Sequence, residues 1–306
     1  MGRKFWLSSL KLILTVAAVF LITRKIDFKT LVPLLERCRW EFLLGCVAAN
    51  VGTSLLTAWR WRLLWGLQGL PLRKYLYFVY LGYFFNAFLP SSATSEAIRV
   101  LAFGKKYGAV QESIGVNLMA RGLGFLLQMG LAFGSLWYYR DEMRAMGLFS
   151  RFSIQPLTLA LIAVAGVVGL FAIYRFRVLL RRQRWLGEMN RIRKDKPLLV
   201  KAMLITALIQ MVSIFGFWLL FMSLYPQVRL WQIVLFPAII QVILMLPISF
   251  GGVGLREYLN LLFFSDIAGV PKDIIFALSI LGYVPSLFMA FVGWSWMLFR
   301  RLRSEE

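Results

Sequence analysis

Leu246 to Glu257, LPISFGGVGLRE, interrupts an apolar run with Pro247, with Gly251, Gly252 and Gly254, and with the adjacent ions Arg256 and Glu257. In a water-soluble domain this would be an ordinary turn. In a hydrophobic chain, irregular backbone at membrane depth has to line a cavity or be buried in protein, because lipid offers its amides no hydrogen bonds. The stretch therefore marks a site, and what flanks it decides the fold.

The rest of the 306 residues supplies the hydrophobic setting: 60% are apolar and the mean hydropathy is +0.72. Apolar windows of about 17 to 27 residues recur, each near the length that crosses a hydrocarbon core of roughly 30 Å. The fold expected is an all-α polytopic membrane protein forming a single membrane domain. The chain has no histidine and two cysteines, Cys38 and Cys46. Zinc ligation, histidine catalysis and a disulfide framework are accordingly not expected, and no cofactor is. The formal charge of +21 fits basic loops that orient a membrane protein on anionic lipid, and nucleic acid is not an expected partner.

Full spans are expected at Met1–Ile22, Phe42–Ala58, Ile114–Tyr138, Pro156–Tyr174, Pro197–Leu224 and Ile274–Phe299. Met1–Ile22 runs into charge with no small-residue cleavage site, so it is a retained span and not a signal peptide. Thr30–Arg39 mixes apolar and charged residues and suits the outer interface, and Trp59-Arg60-Trp61-Arg62 suits the headgroup layer. Two further apolar stretches are short and interrupted, at 75 to 104 and at 231 to 265, the second with Pro237 expected to kink it.

Charge decides how these two stretches run. If they are plain spans, giving eight, the cytoplasmic side carries 13 Lys and Arg and the outer side 19, with Lys11, Arg121 and Arg256 left out of either layout as membrane-embedded. If each enters and leaves on one side, the cytoplasmic side carries 22 and the outer side 10. Only the second layout obeys the positive-inside rule. It gives six full spans plus two re-entrant helical hairpins, with both termini cytoplasmic. Residues 1–138 form one half, 139–156 an outer connector and 157–306 an inverted second half that includes a basic cytoplasmic loop at 175–201. Interrupted segments at matching places of an inverted repeat are the pattern of secondary transporters, with the site at the repeat interface.

Each hairpin carries Leu-Pro followed by an acid and a base: Leu89, Pro90, Glu96 and Arg99 in the first, Leu246, Pro247, Arg256 and Glu257 in the second. Arg256, Arg99 and Arg121 are embedded guanidinium groups suited to clamp a phosphate. Glu96 and Glu257 can pair with them or accept a proton. Gly251, Gly252 and Gly254 allow close backbone approach, and Ser249 and Asn86 supply neutral polar contacts. The competing assignment makes the same charges structural ion pairs, including Arg121 with Glu96. Asn86, Asn117, Gln128, Gln210 and Gln241 fit interhelical hydrogen bonds, and the aromatic run Tyr75–Phe88 fits packing.

The set Arg60-Trp61-Arg62, Asn86-x-x-Leu89-Pro90, Glu96-x-x-Arg99, Ala120-Arg121 and Leu246–Glu257 resembles the membrane region of lysylphosphatidylglycerol synthases, along nearly the whole chain. The resemblance implies flippase-like translocation of lipid between leaflets. This chain has Ser95 and Ala120 where that family usually has glycine and an acid. No soluble synthase domain precedes Glu306, so enzyme activity is not expected. The function expected is movement of an anionic or glycosylated phospholipid or a polyprenyl-phosphate lipid across a bacterial-type inner membrane. The alternative is a lipid-binding subunit that docks a membrane-bound transferase.

Overall fold

The computed structural model describes residues 33–65, 69–88, 92–141, 184–245 and 255–302, and all regular structure among them is helical. Four stretches are long and apolar enough to cross a membrane: Trp40–Trp65, Val110–Ser135, Lys196–Met222 and Lys272–Phe299. These correspond to four of the six expected spans. The other two, Met1–Ile22 and Pro156–Tyr174, lie outside the described residues, as does the connector 142–156.

Helix α1, Trp40–Trp65, opens on Glu41 and closes on Arg62, each opposite in sign to the dipole end it occupies. A short loop leads to α2, Leu72–Phe88, which is paired with α3, Ser92–Lys106. The long α4, Val110–Tyr138, follows, starting four residues earlier than its apolar pattern implies. In the second half, the basic helix α5, Arg184–Lys194, precedes α6, Lys196–Met222. Asp195 caps α6 by accepting from the Leu198 amide at 3.0 Å, and Pro197 stands in the first turn, where its missing N–H costs nothing. Then come α7, Leu230–Met245, α8, Leu255–Asn260, and a π-helix at Leu261–Ile267. Helix α9, Lys272–Leu281, and α10, Tyr283–Leu302, complete the chain. Pro237 sits inside α7, which continues through it.

Helices α1 and α6 form the central antiparallel pair. Gly45 meets Leu219, Gly216 meets Ala49 and Gly52 meets Val212, so the seam is built of small residues that let the backbones approach. Arg60 Nη1 donates to Thr206 Oγ1 at 3.1 Å further along the same seam.

The two short stretches are antiparallel helix pairs. In the first, Phe78 of α2 stacks edge-on with Phe103 of α3 at 5.1 Å, while at the far end Ser95 Oγ donates to Asn86 Oδ1 at 3.2 Å. In the second, Phe236 near the start of α7 meets Phe263 and Phe264 of the π-helix at 5.2 and 5.1 Å. The open ends of the pairs lie at opposite ends of the bundle. Trp61 and Trp65 near the C-terminus of α1 pack on Phe103 of the first pair. At the other end, Phe221 near the C-terminus of α6 packs on Phe264 of the second pair, and Tyr139 after α4 lies against Trp231. Two separate apolar cores result, one at each end.

Each helix pair also packs against a long helix distant in sequence. Helix α2 lies along α10, where a Cβ on Gly293 would fall 2.3 Å from the Tyr80 carbonyl oxygen, too close for any side chain there. Helix α7 lies along α4, where Gln128 Nε2 donates to the Ala238 carbonyl at 3.2 Å.

Candidate functional site

Two polar places interrupt this apolar bundle, one beside each hairpin. The first is built by α1, α3 and α4. Glu96 and Arg99 are three residues apart on α3, hence on one face, and pair at 3.1 Å. Arg121 Nε of α4 reaches the second Glu96 oxygen at 2.8 Å, and Arg99 Nη2 also donates to Asn117 Oδ1 at 3.2 Å. Asn117 and Arg121 are four apart on α4, so one helix face meets both residues of α3. Gly82 of α2 lies against the Arg99 side chain, its virtual Cβ 3.3 Å from Cδ.

Exposure differs within this cluster. The side chains of Arg99 and Glu96 are 15% and 20% exposed, whereas that of Arg121 is 53% exposed. Helix α1 adds two groups that sequence alone placed at the headgroup layer. The Trp61 ring is buried and lies beneath the Arg99 guanidinium, 5.1 Å from its carbon, and the preceding Arg60 is half-buried and donates to Thr206. Only Trp59 and Arg62 of that tetrad face outward, because successive helical residues turn by about 100°. Three buried donors in this group, Arg60 Nε, Trp61 Nε1 and Arg99 Nε, have no hydrogen-bond partner among the described residues. An unsatisfied buried donor costs about 1–3 kcal/mol, so these groups can each take an acceptor.

The second place is a cavity of about 320 Å³ between α1, α4, α6, the second hairpin and the α9–α10 junction. Arg256 and Glu257 at the start of α8 line it, and Glu257 accepts a short hydrogen bond from the Tyr283 hydroxyl. Neutral polar groups also line it: Asn50, Thr53, Gln128, Gln210 and Gln241. Gln210 Nε2 donates to Gln128 Oε1, and Asn50 Nδ2 is spent on the Cys46 carbonyl at 3.0 Å. Glu96, Arg99 and Arg121 are not among the walls of this cavity.

The sequence-derived set is therefore divided. Glu96, Arg99 and Arg121 come together in one cluster. Arg256 and Glu257 line the cavity. Asn86 is exposed and holds Ser95 across the first hairpin. Ser249, Gly251, Gly252 and Gly254 lie outside the described residues, as do Leu89 and Pro90. Asn117 and the Gln128–Gln210 pair make the interhelical hydrogen bonds expected of them, and Tyr75, Phe78 and Tyr80 are buried packing residues. Sequence reasoning missed Asn50, Thr53 and Tyr283 in the cavity and Arg60 and Trp61 in the cluster. Asn50 and Thr53, three apart on an otherwise apolar helix, were a legible signal. The other three depend on which way a helix face turns.

Among the described residues no group of His, Cys, Asp and Glu is placed to hold a metal. A protein-family model described as the lysylphosphatidylglycerol synthase TM region matches residues 8–293. No curated protein and no solved structure matches the chain.

Proposed function

From the premise that this chain belongs to the lysylphosphatidylglycerol synthase transmembrane-region family, an integral membrane protein family related to lipid, we propose that it carries a lipid headgroup between leaflets. One observation carries this reading: two helical hairpins open at opposite ends of the bundle, one bearing an arginine cluster, the other flanking a polar cavity. A transporter needs a polar foothold reachable from each leaflet, and buried charge in lipid is retained where it serves a path for substrate.

In this reading the hairpins are re-entrant, and the end holding the first hairpin faces the cytoplasm. Arg62, Arg73, Lys74, Lys105, Lys106, Arg193 and Lys194 gather there, which the positive-inside rule favours. The headgroup phosphate engages Arg99 and Arg121 at one side and Arg256 at the other. Glu96 holds the first pair when the cluster is empty, and Glu257 and Tyr283 flank Arg256. The protein acts without a chemical step, and its partners are membrane lipids with anionic headgroups.

The decisive measurement uses proteoliposomes carrying a fluorescent anionic phospholipid. Unmodified protein speeds exchange between leaflets, whereas Arg99→Ala and Arg256→Ala each slow it at least about tenfold. Each substitution removes a charge-assisted contact of roughly 1.5–3 kcal/mol. Exchange at the unmodified rate in both variants would overturn the assignment. Docking of a membrane-bound transferase on the basic helix α5 is the competing reading. Stable co-purification of such an enzyme from a protein that moves no lipid would establish it.

A further inference from the structure

A second cavity, of about 910 Å³, lies between the start of α2 and the last turns of α10. Arg73 and Lys74 line it, together with the rings of Tyr77, Trp296, Phe291 and Phe299. Glu96, Arg99, Arg121, Arg256 and Glu257 do not belong to its walls, so it is separate from both polar places. Its two cations are exposed, and among the described residues no carboxylate pairs with either.

Cations and rings are ordered by depth along this groove. Arg73 and Lys74 stand in the first turn of α2, just before its apolar run begins at Tyr75. Phe299 closes the candidate span Lys272–Phe299, which puts this level at the edge of the apolar core. Helices α2 and α10 run antiparallel here: the Arg73 guanidinium and the Tyr77 ring lie 5.7 and 5.8 Å from the Trp296 ring, and further along Tyr80 meets Gly293. The Trp296 face thereby steadies the Arg73 charge at the headgroup level. From Phe299 the wall continues eight residues to Phe291, about 12 Å of helix. Phe291 and Phe299 are 61% and 67% exposed, so the groove is open along an apolar flank.

We infer that this groove binds one molecule of anionic phospholipid, its phosphate on Arg73 and Lys74 and an acyl chain along Phe299 and Phe291. The site lies outside the path proposed for the carried lipid and stands whether or not the chain moves lipid between leaflets. Two unpaired cations attract an anion, and the apolar slot below them takes hydrocarbon. A free phosphate satisfies the cations and leaves the slot unfilled. A phosphatidylcholine fills the slot but sets its own ammonium beside Arg73 and Lys74, whereas phosphatidylglycerol brings a net negative charge and hydroxyls. Because its walls come from both helices, the bound lipid ties the first hairpin to α10.

The test reconstitutes the full chain in phosphatidylcholine vesicles with a trace of phosphatidylglycerol or of phosphatidylcholine, either one bearing a photoreactive diazirine on its acyl chain. Cross-linked peptides are mapped by mass spectrometry. Phosphatidylglycerol should label the 291–299 segment at least about tenfold more than phosphatidylcholine does. Arg73→Gln combined with Lys74→Gln should bring the two lipids level, and Ser295→Trp, which fills the groove and keeps both cations, should also lower the labelling by phosphatidylglycerol. Arg256→Ala, in the other cavity, should leave the preference intact. Equal labelling by the two lipids, a preference that survives loss of both cations, or one that Arg256→Ala removes overturns the inference. Displacement by inorganic phosphate as effective as that by unlabelled phosphatidylglycerol would make this a free-phosphate site and overturn the lipid assignment.

Discussion

Arg121 of α4 places its Nε 2.8 Å from the Glu96 Oε2 of α3, so a long helix and the first hairpin are joined through one carboxylate. The other Glu96 oxygen holds Arg99, and removal of this acid strands two guanidinium groups at once. Glu96→Ala should lower stability by about 3 kcal/mol, the cost of leaving a buried ion uncompensated. Arg121→Gln should cost less, since that side chain is half exposed and Glu96 keeps its pairing with Arg99. Thermal unfolding in detergent compares the two, and equal losses would contradict the bridging role.

Gly293 is fixed by a neighbour's backbone, since its missing Cβ would lie 2.3 Å from the Tyr80 oxygen. Gly293→Ala should force α10 away from α2 and reduce the yield of folded, monodisperse protein, and Gly293→Leu should abolish it. Gly124→Ala, in open space, is the control and should behave as the unmodified protein does in size-exclusion chromatography.

The hairpin layout is testable by labelling in intact cells. Cysteines placed at Leu230 and Asp266, exposed at the open end of the second hairpin, should both react with an impermeant maleimide added outside. Cysteines at Lys74 and Lys105, exposed at the open end of the first, should both react only after permeabilisation. Opposite-side reaction within either pair would make that hairpin a pair of spans. The native background should stay silent: Cys38 and Cys46 are 5% and 4% exposed. Burial also pushes the Cys38 thiol above its ordinary range, so less reactive thiolate is present near neutral pH and its labelling should accelerate only at more alkaline pH.

Gln210 donates to Gln128, and Gln128 in turn donates to the Ala238 carbonyl, linking α6 to α4 and α4 to the second hairpin. Gln210→Leu leaves an acceptor on Gln128 unmet and should destabilise by about 1–3 kcal/mol. Combining it with Gln128→Leu should cost less than the sum of the single changes, because neither amide is then left without its partner. Additive losses in a double-mutant cycle would show that the pair is not coupled.

Sequence alone determined that the chain is helical and lives in a membrane, that two stretches are too short to be comfortable spans, and that Glu96 and Arg99 share one helix face. Hydropathy and the positive-inside count act along the chain, residue by residue, and need no knowledge of neighbours in space. Spacing of three places Glu96 and Arg99 on one face of α3, which is again a local property. Tertiary structure decided that α2 packs on α10 and α7 on α4, that Arg256 and Glu257 line a cavity separate from the arginine cluster, and that Arg60 and Trp61 turn inward. Those facts depend on the rotation of each helix about its axis and on which backbones can approach. Contacts such as Gly216 on Ala49 and Gly293 on Tyr80 fix both, and they join residues that no short window of sequence contains together.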